Sequence, residues 1–271
     1  MSFLAELEKR VLLGAGAMGT EFLRRGCLAE RPLDELNLSR PHLVLDVTRE
    51  YVAAGAEVIK TNTFRSNRVS LAESGLQDQV RELNLAGASI ARDAARGAFV
   101  AGCVGPVGDP HRTDLQEVYQ EQCVALAEGG CDLLLLETFT QVVDLTWATV
   151  AAHTTGLPVV SQMSLTQELV DRGSWALGAT FARRDPAGAD VIGVNCVSAS
   201  TAMAVVDRCR ERTSMLSAFP DGGTSDHPVS PEAFAEGIRQ LVDAGARLVG
   251  GCCGAGPDHI RAAAAVVGRG R

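Results

Sequence analysis

Three cysteines stand where apolar runs of the sequence end. Cys196 follows Gly-Val-Asn at 193–195, and Cys252 and Cys253 lie side by side within Gly-Gly-Cys-Cys-Gly at 250–254. Thiolates are zinc ligands, and a catalytic zinc site uses three protein ligands while leaving a fourth position for water or substrate. Adjacent side chains on a regular strand point to opposite faces, so both cysteines can face one point only where the backbone turns, which the flanking glycines permit. This pattern favours a catalytic Zn²⁺ site formed by Cys196, Cys252 and Cys253.

The alternative interpretation is that these cysteines are ordinary core residues. A buried thiol behaves as a small hydrophobic side chain and needs no ligand. We expect that structural role for the chain's other cysteines, which are Cys27, Cys103, Cys123, Cys131 and Cys209.

Polar residues follow other apolar runs and are candidates for substrate binding. Glu137 ends the run 133–136, and a buried carboxylate needs a partner, either a cationic ligand group such as an ammonium or an internal salt bridge. Thr61 and Asn62 either contact a ligand or cap loop hydrogen bonds. The glycine-rich segment 14–20 contains Gly16 and Ala17, whose backbone N–H groups could approach an anion.

Short apolar runs alternate with helical patterns along the whole chain, which predicts repeated βα units. We predict eight strands, at Arg10–Leu13, Glu57–Thr61, Ala98–Val104, Asp132–Glu137, Pro158–Met163, Asp190–Asn195, Ser214–Phe219 and Ala246–Gly250. We predict helices at Pro41–Ala54, Leu76–Arg96, Asp114–Gly129, Gln141–His153, Gly178–Asp185, Ser200–Arg212, Pro231–Ala244 and Pro257–Val267. This order fits an α/β protein with a (β/α)8 barrel better than an open doubly wound sheet, and it places the active site at the carboxyl ends of the strands.

Composition agrees with one barrel domain over residues 1–271. A barrel of this type takes about 250 residues, and hydrophobic residues make up 46% of the chain. The net charge of −8 disfavours nucleic acid and anionic membrane surfaces as partners. The sequence shows no signal peptide and no apolar run long enough to span a membrane, so we expect a cytoplasmic protein.

Several motifs together resemble the zinc-dependent homocysteine S-methyltransferases, a family that includes the homocysteine module of cobalamin-dependent methionine synthase and betaine-homocysteine methyltransferase. The most specific are Gly-Val-Asn-Cys at 193–196 and Gly-Gly-Cys-Cys-Gly at 250–254. Segments 16–20, 51–64, 102–106 and 134–139 are also similar, most closely to the methionine synthase branch. The resemblance implies a (β/α)8 barrel, Zn²⁺ held by the three cysteines, and a substrate amino group bound by Glu137. Asn195, which precedes Cys196, is counted with the acceptor-binding candidates.

The chain departs from the family pattern at Ala15, where the family commonly carries an Asp that helps receive the ammonium group of the amino acid. Homocysteine would then depend on Glu137 and backbone carbonyls, or the acceptor is a thiol with another head group. The sequence 220–223, Pro-Asp-Gly-Gly, also differs from the Pro-Asn-Ala-Gly of the synthase branch. Both changes point to altered substrate contacts.

The methyl donor is left open by the sequence. Since no cobalamin or folate module follows the barrel, we expect a small methyl compound such as a sulfonium or betaine, or a methylated corrinoid protein. One alternative is a subunit that works only when docked to that corrinoid protein. Another is a zinc-binding barrel without catalysis. A third is a phosphate-binding lyase or isomerase, which would need a basic residue at a strand end, and Lys60 is the only suitably placed lysine.

Overall fold

Eight parallel strands form a (β/α)8 barrel, as predicted. The computed structural model describes residues 2–27, 32–109, 111–165, 188–211, 213 and 215–268. The strands are β1 Leu12–Leu13, β2 Val58–Lys60, β3 Phe99–Val104, β4 Leu133–Phe139, β5 Val159–Met163, β6 Val191–Asn195, β7 Leu216–Phe219 and β8 Leu248–Val249. Their order is β1-β8-β7-β6-β5-β4-β3-β2. A parallel bridge between Gly14 and Val58 joins the two ends of this sheet and closes the barrel.

Helices surround the strands in the described part of the chain. They are α1 Phe3–Lys9, α2 Met18–Arg24, α3 Leu36–Ser39, α4 Pro41–Ala53, α5 Arg68–Ala72, α6 Val80–Ala94, α7 Leu115–Glu128, α8 Val142–His153, α9 Ala199–Cys209, α10 Pro231–Asp243 and α11 Pro257–Val267. Pro41, Pro231 and Pro257 each occupy the first turn of a helix, where a missing N–H costs no intrahelical bond. The predicted helix Gly178–Asp185 lies outside the described residues.

The barrel interior is filled by side chains that point inward from alternate strand positions. Residues from all eight strands join in one buried cluster with the amino-terminal helix α1, and its strand members include Leu12, Val58, Leu135 and Phe219. The opposite faces of the strands pack against the surrounding helices in a second and larger core. Because both faces of each strand are buried, the strands read as nearly continuous apolar runs.

Helix α1, absent from the sequence prediction, covers the amino-terminal end of the barrel. Phe3 and Leu7 are buried in the interior cluster, and the ring of Phe3 meets that of Phe99 edge to face at 5.7 Å. Arg247, just before β8, donates through Nε to the carbonyl of Leu7 at 3.1 Å. The floor of the barrel is therefore filled, and the site must open at the other end.

Helix α2 was also missed, because the glycine-rich segment 14–20 reads as a loop. The helix begins at Met18, within that segment. The predicted strand at 246–250 is shorter in the structure, where only Leu248–Val249 is extended and paired, and the chain begins to turn soon afterwards. Within the described part of the chain, no helix combines the length and apolar character that crossing a lipid bilayer requires.

Candidate metal and substrate site

A cavity of about 470 Å³ opens at the carboxyl ends of the strands. Its lining includes the three cysteines singled out in the sequence together with Lys60, Thr61, Asn62, Cys103 and Glu137. Active sites of (β/α)8 barrels are found at this end, because the loops that follow the strands converge there. The cavity is therefore the candidate active site.

The structure brings the sulfurs of Cys196, Cys252 and Cys253 together. All three lie within 4.8 Å of one another, and the Sγ atoms of Cys196 and Cys253 are 3.5 Å apart. Cys252 is buried, Cys196 is partly buried and Cys253 is exposed. The cluster thus forms one wall of the cavity and has an accessible side.

Two local backbone features allow this convergence. Cys196 adopts a left-handed conformation with φ 54°, which redirects the chain as it leaves β6. After β8, the N–H of Ala255 donates to the carbonyl of Cys252 at 3.0 Å, so the backbone turns at the cysteine pair. Gly254 supplies the positive φ of 80° within this turn. The two adjacent cysteines can therefore serve the same centre.

The arrangement of donors fits a zinc ion. Two sulfurs, each about 2.3 Å from a tetrahedral zinc, lie about 3.8 Å from one another, close to the separation seen here. Hydrogen bonds from the thiols of Cys196 and Cys252 lower the pKa of Cys253, whereas donating to its neighbours raises the pKa of Cys196. The three sulfurs therefore favour a shared thiolate even before a metal adds its charge. That they bind zinc remains a prediction.

Asn195 lies beneath the sulfur cluster and is fully buried. Its Nδ2 is 3.6 Å from Sγ of Cys252 and can donate a weak hydrogen bond to that sulfur. Asn195 was expected to contact the acceptor. Its position also allows it to orient Cys252, a predicted metal ligand, and partners of metal ligands tune both geometry and affinity.

Glu137 already has two partners in the structure. Its Oε2 accepts from Nζ of Lys60 at 3.2 Å, and its Oε1 accepts from Sγ of Cys103 at 2.7 Å. The side chains of Lys60 and Glu137 are only 5% and 7% exposed. Of the two alternatives raised for Glu137, the structure displays the internal salt bridge.

Lys60 and Cys103 belong to the candidate site, although sequence reasoning gave neither a role in thiol chemistry. Cys103 was expected to be structural, yet it lies at the cavity and donates to Glu137. Burial and the nearby charge of Glu137 raise the pKa of Cys103, which keeps its thiol protonated as a donor. A signal for Lys60 was present, because Lys9 and Lys60 are the only lysines in the sequence and Lys60 ends a buried strand.

Thr61 and Asn62 line the cavity, but much of their hydrogen bonding is directed into the protein. Thr61 Oγ1 lies 2.6 Å from Thr63 Oγ1 and accepts from the N–H of Cys103 at 2.9 Å. Asn62 Nδ2 donates to the carbonyl of Leu33 at 2.8 Å. These contacts hold the rim in place, while the role of both residues in substrate binding stays a prediction.

Backbone N–H groups of the glycine-rich segment 14–20 donate hydrogen bonds to other parts of the protein. The N–H of Ala17 donates to the carbonyl of Ala255 at 3.0 Å, so it is already satisfied, although Ala17 itself lines the cavity. A side chain at Gly16 would meet the same carbonyl at 2.1 Å. Ala15 is 1% exposed and belongs to the core outside the barrel interior. The segment therefore packs closely against the loop after β8.

A second acid at the cavity was missed because its partners are distant in the sequence. Asp34 Oδ1 accepts from the N–H of Arg65 at 2.9 Å and from Oγ of Ser66 at 2.8 Å. Burial raises the pKa of Asp34, and these hydrogen bonds only partly offset the effect. Nearer solvent, Arg65 forms a salt bridge with Glu73 at 2.6 Å.

Comparisons with known proteins identify the family to which the chain belongs. Residues 12–267 match the family described as homocysteine S-methyltransferase. The methionine synthases of Mycobacterium leprae (strain TN) and Mycobacterium tuberculosis (strain ATCC 25618 / H37Rv) are each 30% identical, over 98% and 96% of this chain. In both cases the chain spans only 25% of the relative's length.

The crystal structure of the homocysteine methyltransferase MmuM from Escherichia coli, in its metallated form, is similar over nearly its whole length. Its TM-score is 0.79 at 26% identity, covering 96% of this chain and 98% of that one. The family match covers nearly the whole chain, and the structural similarity extends over a comparable length. This chain belongs to the homocysteine S-methyltransferase family.

Proposed function

We propose that this protein is a zinc-dependent S-methyltransferase that moves a methyl group from an activated donor to a thiol. The observation that carries the proposal is the cluster of Cys196, Cys252 and Cys253 sulfurs at the wall of the cavity. Family membership supports a methyltransferase with homocysteine as its acceptor. The cluster supplies the chemistry that such a transfer needs.

Three thiolates would hold Zn²⁺ and leave one position for the acceptor. Bound there, the metal would lower the pKa of the acceptor thiol and present it as a thiolate at neutral pH. Cys253 is the most exposed of the three cysteines, so its side of the cluster is open to an acceptor. Asn195 holds Cys252 from the buried side. In this proposal Asn195 supports the cluster from the buried side, and Cys253 is the ligand on the accessible side.

The transfer itself requires little from acid or base groups. The acceptor sulfur forms a bond to the methyl carbon, the bond between that carbon and the donor atom breaks, and its electron pair stays with the donor. Position and alignment supply much of the rate in such a displacement. Thr61 and Asn62, held at the rim by internal hydrogen bonds, would help to position the reactants.

Homocysteine is the first acceptor to test, because the family is defined by it. A thiol with a different head group is the second candidate, and a specific observation favours it: Lys60 already occupies the carboxylate of Glu137. For the donor we propose a sulfonium, a betaine or a methylated corrinoid. The similarity to methionine synthases keeps a corrinoid protein as a possible partner, including the alternative in which the chain works only when docked to it.

Two measurements test the proposal together. X-ray absorption at the zinc edge, with and without homocysteine or another thiol, should show an added sulfur in the first shell. A methyl-transfer assay should then use S-methylmethionine, betaine, dimethylsulfoniopropionate and a methylated corrinoid as donors. If no thiol enters the zinc shell and no donor supports methylation, the proposed function is wrong.

A further inference from the structure

The carboxylates that line the cavity are each engaged by a group of the protein. Glu137 pairs with Lys60, and Glu73 pairs with Arg65. Asp34 accepts hydrogen bonds from a backbone N–H and from a serine hydroxyl. An incoming ammonium group would have to displace a partner or share one. Glu137 is the deepest of the paired acids, so its partner matters most for the acceptor.

Lys60 is held at this position from two sides. Its Nζ donates to Glu137 Oε2 at 3.2 Å and lies 5.7 Å from the centre of the Phe219 ring. Burial acts to lower the pKa of Lys60, but attraction to the Glu137 carboxylate helps to outweigh it, and the net pKa is raised. Lys60 therefore carries a positive charge at neutral pH, at the wall of the cavity that holds the sulfur cluster.

A lysine ammonium has three N–H donors. Among the hydrogen bonds made by the described residues, Nζ of Lys60 uses one, to Glu137. An acceptor carboxylate could take another, whereas an acceptor ammonium would meet a like charge and a carboxylate that is already neutralised. Both effects disfavour an amino group and favour an acid group on the thiol.

We propose that Lys60 determines the specificity of the site for the acceptor's head group, so that the native pocket prefers thiols that carry a carboxylate and lack an ammonium. The acceptor class is then the mercaptoalkanoates. This inference rests on the proposed function, because it concerns which thiol reaches the sulfur cluster.

Three thiols form a matched set that separates the two charges. Homocysteine carries both groups, 4-mercaptobutanoate lacks the ammonium, and 3-mercaptopropylamine lacks the carboxylate. Calorimetric titration of the zinc-containing protein should rank 4-mercaptobutanoate first and 3-mercaptopropylamine last. A difference of about tenfold or more in Kd between 4-mercaptobutanoate and homocysteine is expected from one charge-assisted contact. Equal or tighter binding of homocysteine would overturn the inference.

Substitutions test whether Lys60 is responsible. Lys60→Met should reverse the preference, because Glu137 becomes available to an ammonium, and Lys9→Met, which removes the only other lysine, should leave it unchanged. If Lys60→Met fails to fold, the double variant Lys60→Met with Glu137→Gln removes both charges and should bind homocysteine and 4-mercaptobutanoate with similar affinity. A preference that survives in either variant would exclude Lys60 as its source.

Nuclear magnetic resonance offers a direct readout that does not depend on activity. Protein labelled with ¹³C-lysine gives signals from Lys9 and Lys60 alone, and Lys9 is an internal reference because its side chain is 67% exposed. Adding 4-mercaptobutanoate should shift the Lys60 signal and leave that of Lys9 in place. Zinc-edge spectra on the same samples keep the two hypotheses apart. A thiol that enters the zinc shell with no change at Lys60 refutes the inference alone, whereas no entry by any thiol refutes the proposed function.

Discussion

Asn195 and Thr138 are joined by a reciprocal pair of hydrogen bonds across the mouth of the barrel. The N–H of Thr138 donates to Oδ1 of Asn195 at 2.7 Å, and Nδ2 of Asn195 donates to Oγ1 of Thr138 at 2.8 Å. Thr138 follows Glu137 and has a left-handed φ of 67°, much as Cys196 follows Asn195 with a φ of 54°. One amide therefore supports two unusual backbone turns, one beside the carboxylate and one beside the sulfur cluster.

Replacing Asn195 should weaken metal binding without removing a ligand. In Asn195→Ala the turn at Thr138 loses both bonds, and Cys252 loses its contact with the amide. We expect zinc affinity to fall about 10- to 100-fold, as is typical when the partner of a metal ligand is removed. Competition with a chelator of known affinity measures the change. Unaltered affinity would show that the cluster is positioned by its backbone alone.

Removing a ligand should have a larger effect. The purified protein is expected to contain about one zinc per chain, and Cys252→Ala should lose most of it, since three protein ligands are the usual minimum for such a site. Elemental analysis gives the stoichiometry. Cys27→Ala is the matched control, because Cys27 is a buried cysteine outside the cluster. Full zinc content in Cys252→Ala would contradict the assignment.

Substituting one member of the Lys60–Glu137 pair should lower the free energy of unfolding much more than substituting both. Glu137→Gln leaves the buried ammonium of Lys60 without a counter-charge, which costs about 3–5 kcal/mol of unfolding free energy. Adding Lys60→Met removes the unpaired charge and should recover most of that loss. Urea denaturation of the three proteins provides the comparison. A double variant as unstable as the single one would mean that the pair is not electrostatically coupled.

Alanine substitution should have opposite effects on protein stability at two glycines that lie three residues apart, Gly16 and Gly19. At Gly16 an added methyl group would lie 2.1 Å from the carbonyl of Ala255, and the resulting strain should cost about 1–3 kcal/mol or more. At Gly19, within α2, the nearest atom would be 3.5 Å away. Gly19→Ala should therefore leave stability unchanged or raise it by about 0.5–1 kcal/mol. Thermal unfolding of both variants tests this, and similar melting temperatures would contradict the packing argument.

Asp34 should add a measurable pH dependence to stability. Burial raises its folded-state pKa above the ordinary 3.8, so the folded protein binds this proton more tightly than the unfolded chain does. The stabilisation is complete below about 3.8 and is lost as the pH rises through the folded-state pKa. The Asp34→Asn variant cannot lose a proton at this position, so it does not lose this stabilisation. As the pH rises from about 3.8 through the folded-state pKa of Asp34, the free energy of unfolding of the variant should therefore rise relative to that of the native protein.

Urea denaturation across the acid range, with the exposed Asp78→Asn as a matched control, measures the Asp34 effect. A constant difference between Asp34→Asn and the native protein at every pH would show that the Asp34 pKa is the same in both states. If the free energy of unfolding of the Asp78→Asn control depended on pH in the same way, the effect would be due to loss of any carboxylate charge and not to burial of Asp34.

Much of the barrel could be predicted from the sequence because its strands are buried on both faces. An apolar run such as 133–136 therefore marks a strand directly, and Cys196 and the Cys252–Cys253 pair could be placed at one rim by the rule for parallel barrels. Helix α2 could not be found in this way, since the glycines that allow close packing at Gly16 resemble those of a loop.

Side-chain pairing was harder to predict than topology. Lys60 and Glu137 are 77 residues apart, and only the inward direction of both strands brings them within 3.2 Å. The same holds for Cys103, whose sequence neighbours are apolar and whose partner is again Glu137. A carboxylate at a strand end indicates that a cation is needed. It does not indicate whether the protein or the substrate supplies that cation.

Pairing of the first strand with the last determines when the site can form during synthesis. Leu12 is opposite Leu248, and the contact between Arg247 and Leu7 joins residues 240 positions apart. Such non-local contacts form late, because a long loop must close before they contribute. A growing chain exposes Cys196 well before Cys252 and Cys253 emerge from the ribosome. If the three cysteines bind zinc as proposed, complete metal binding would coincide with closure of the barrel, and zinc uptake would mark a finished fold.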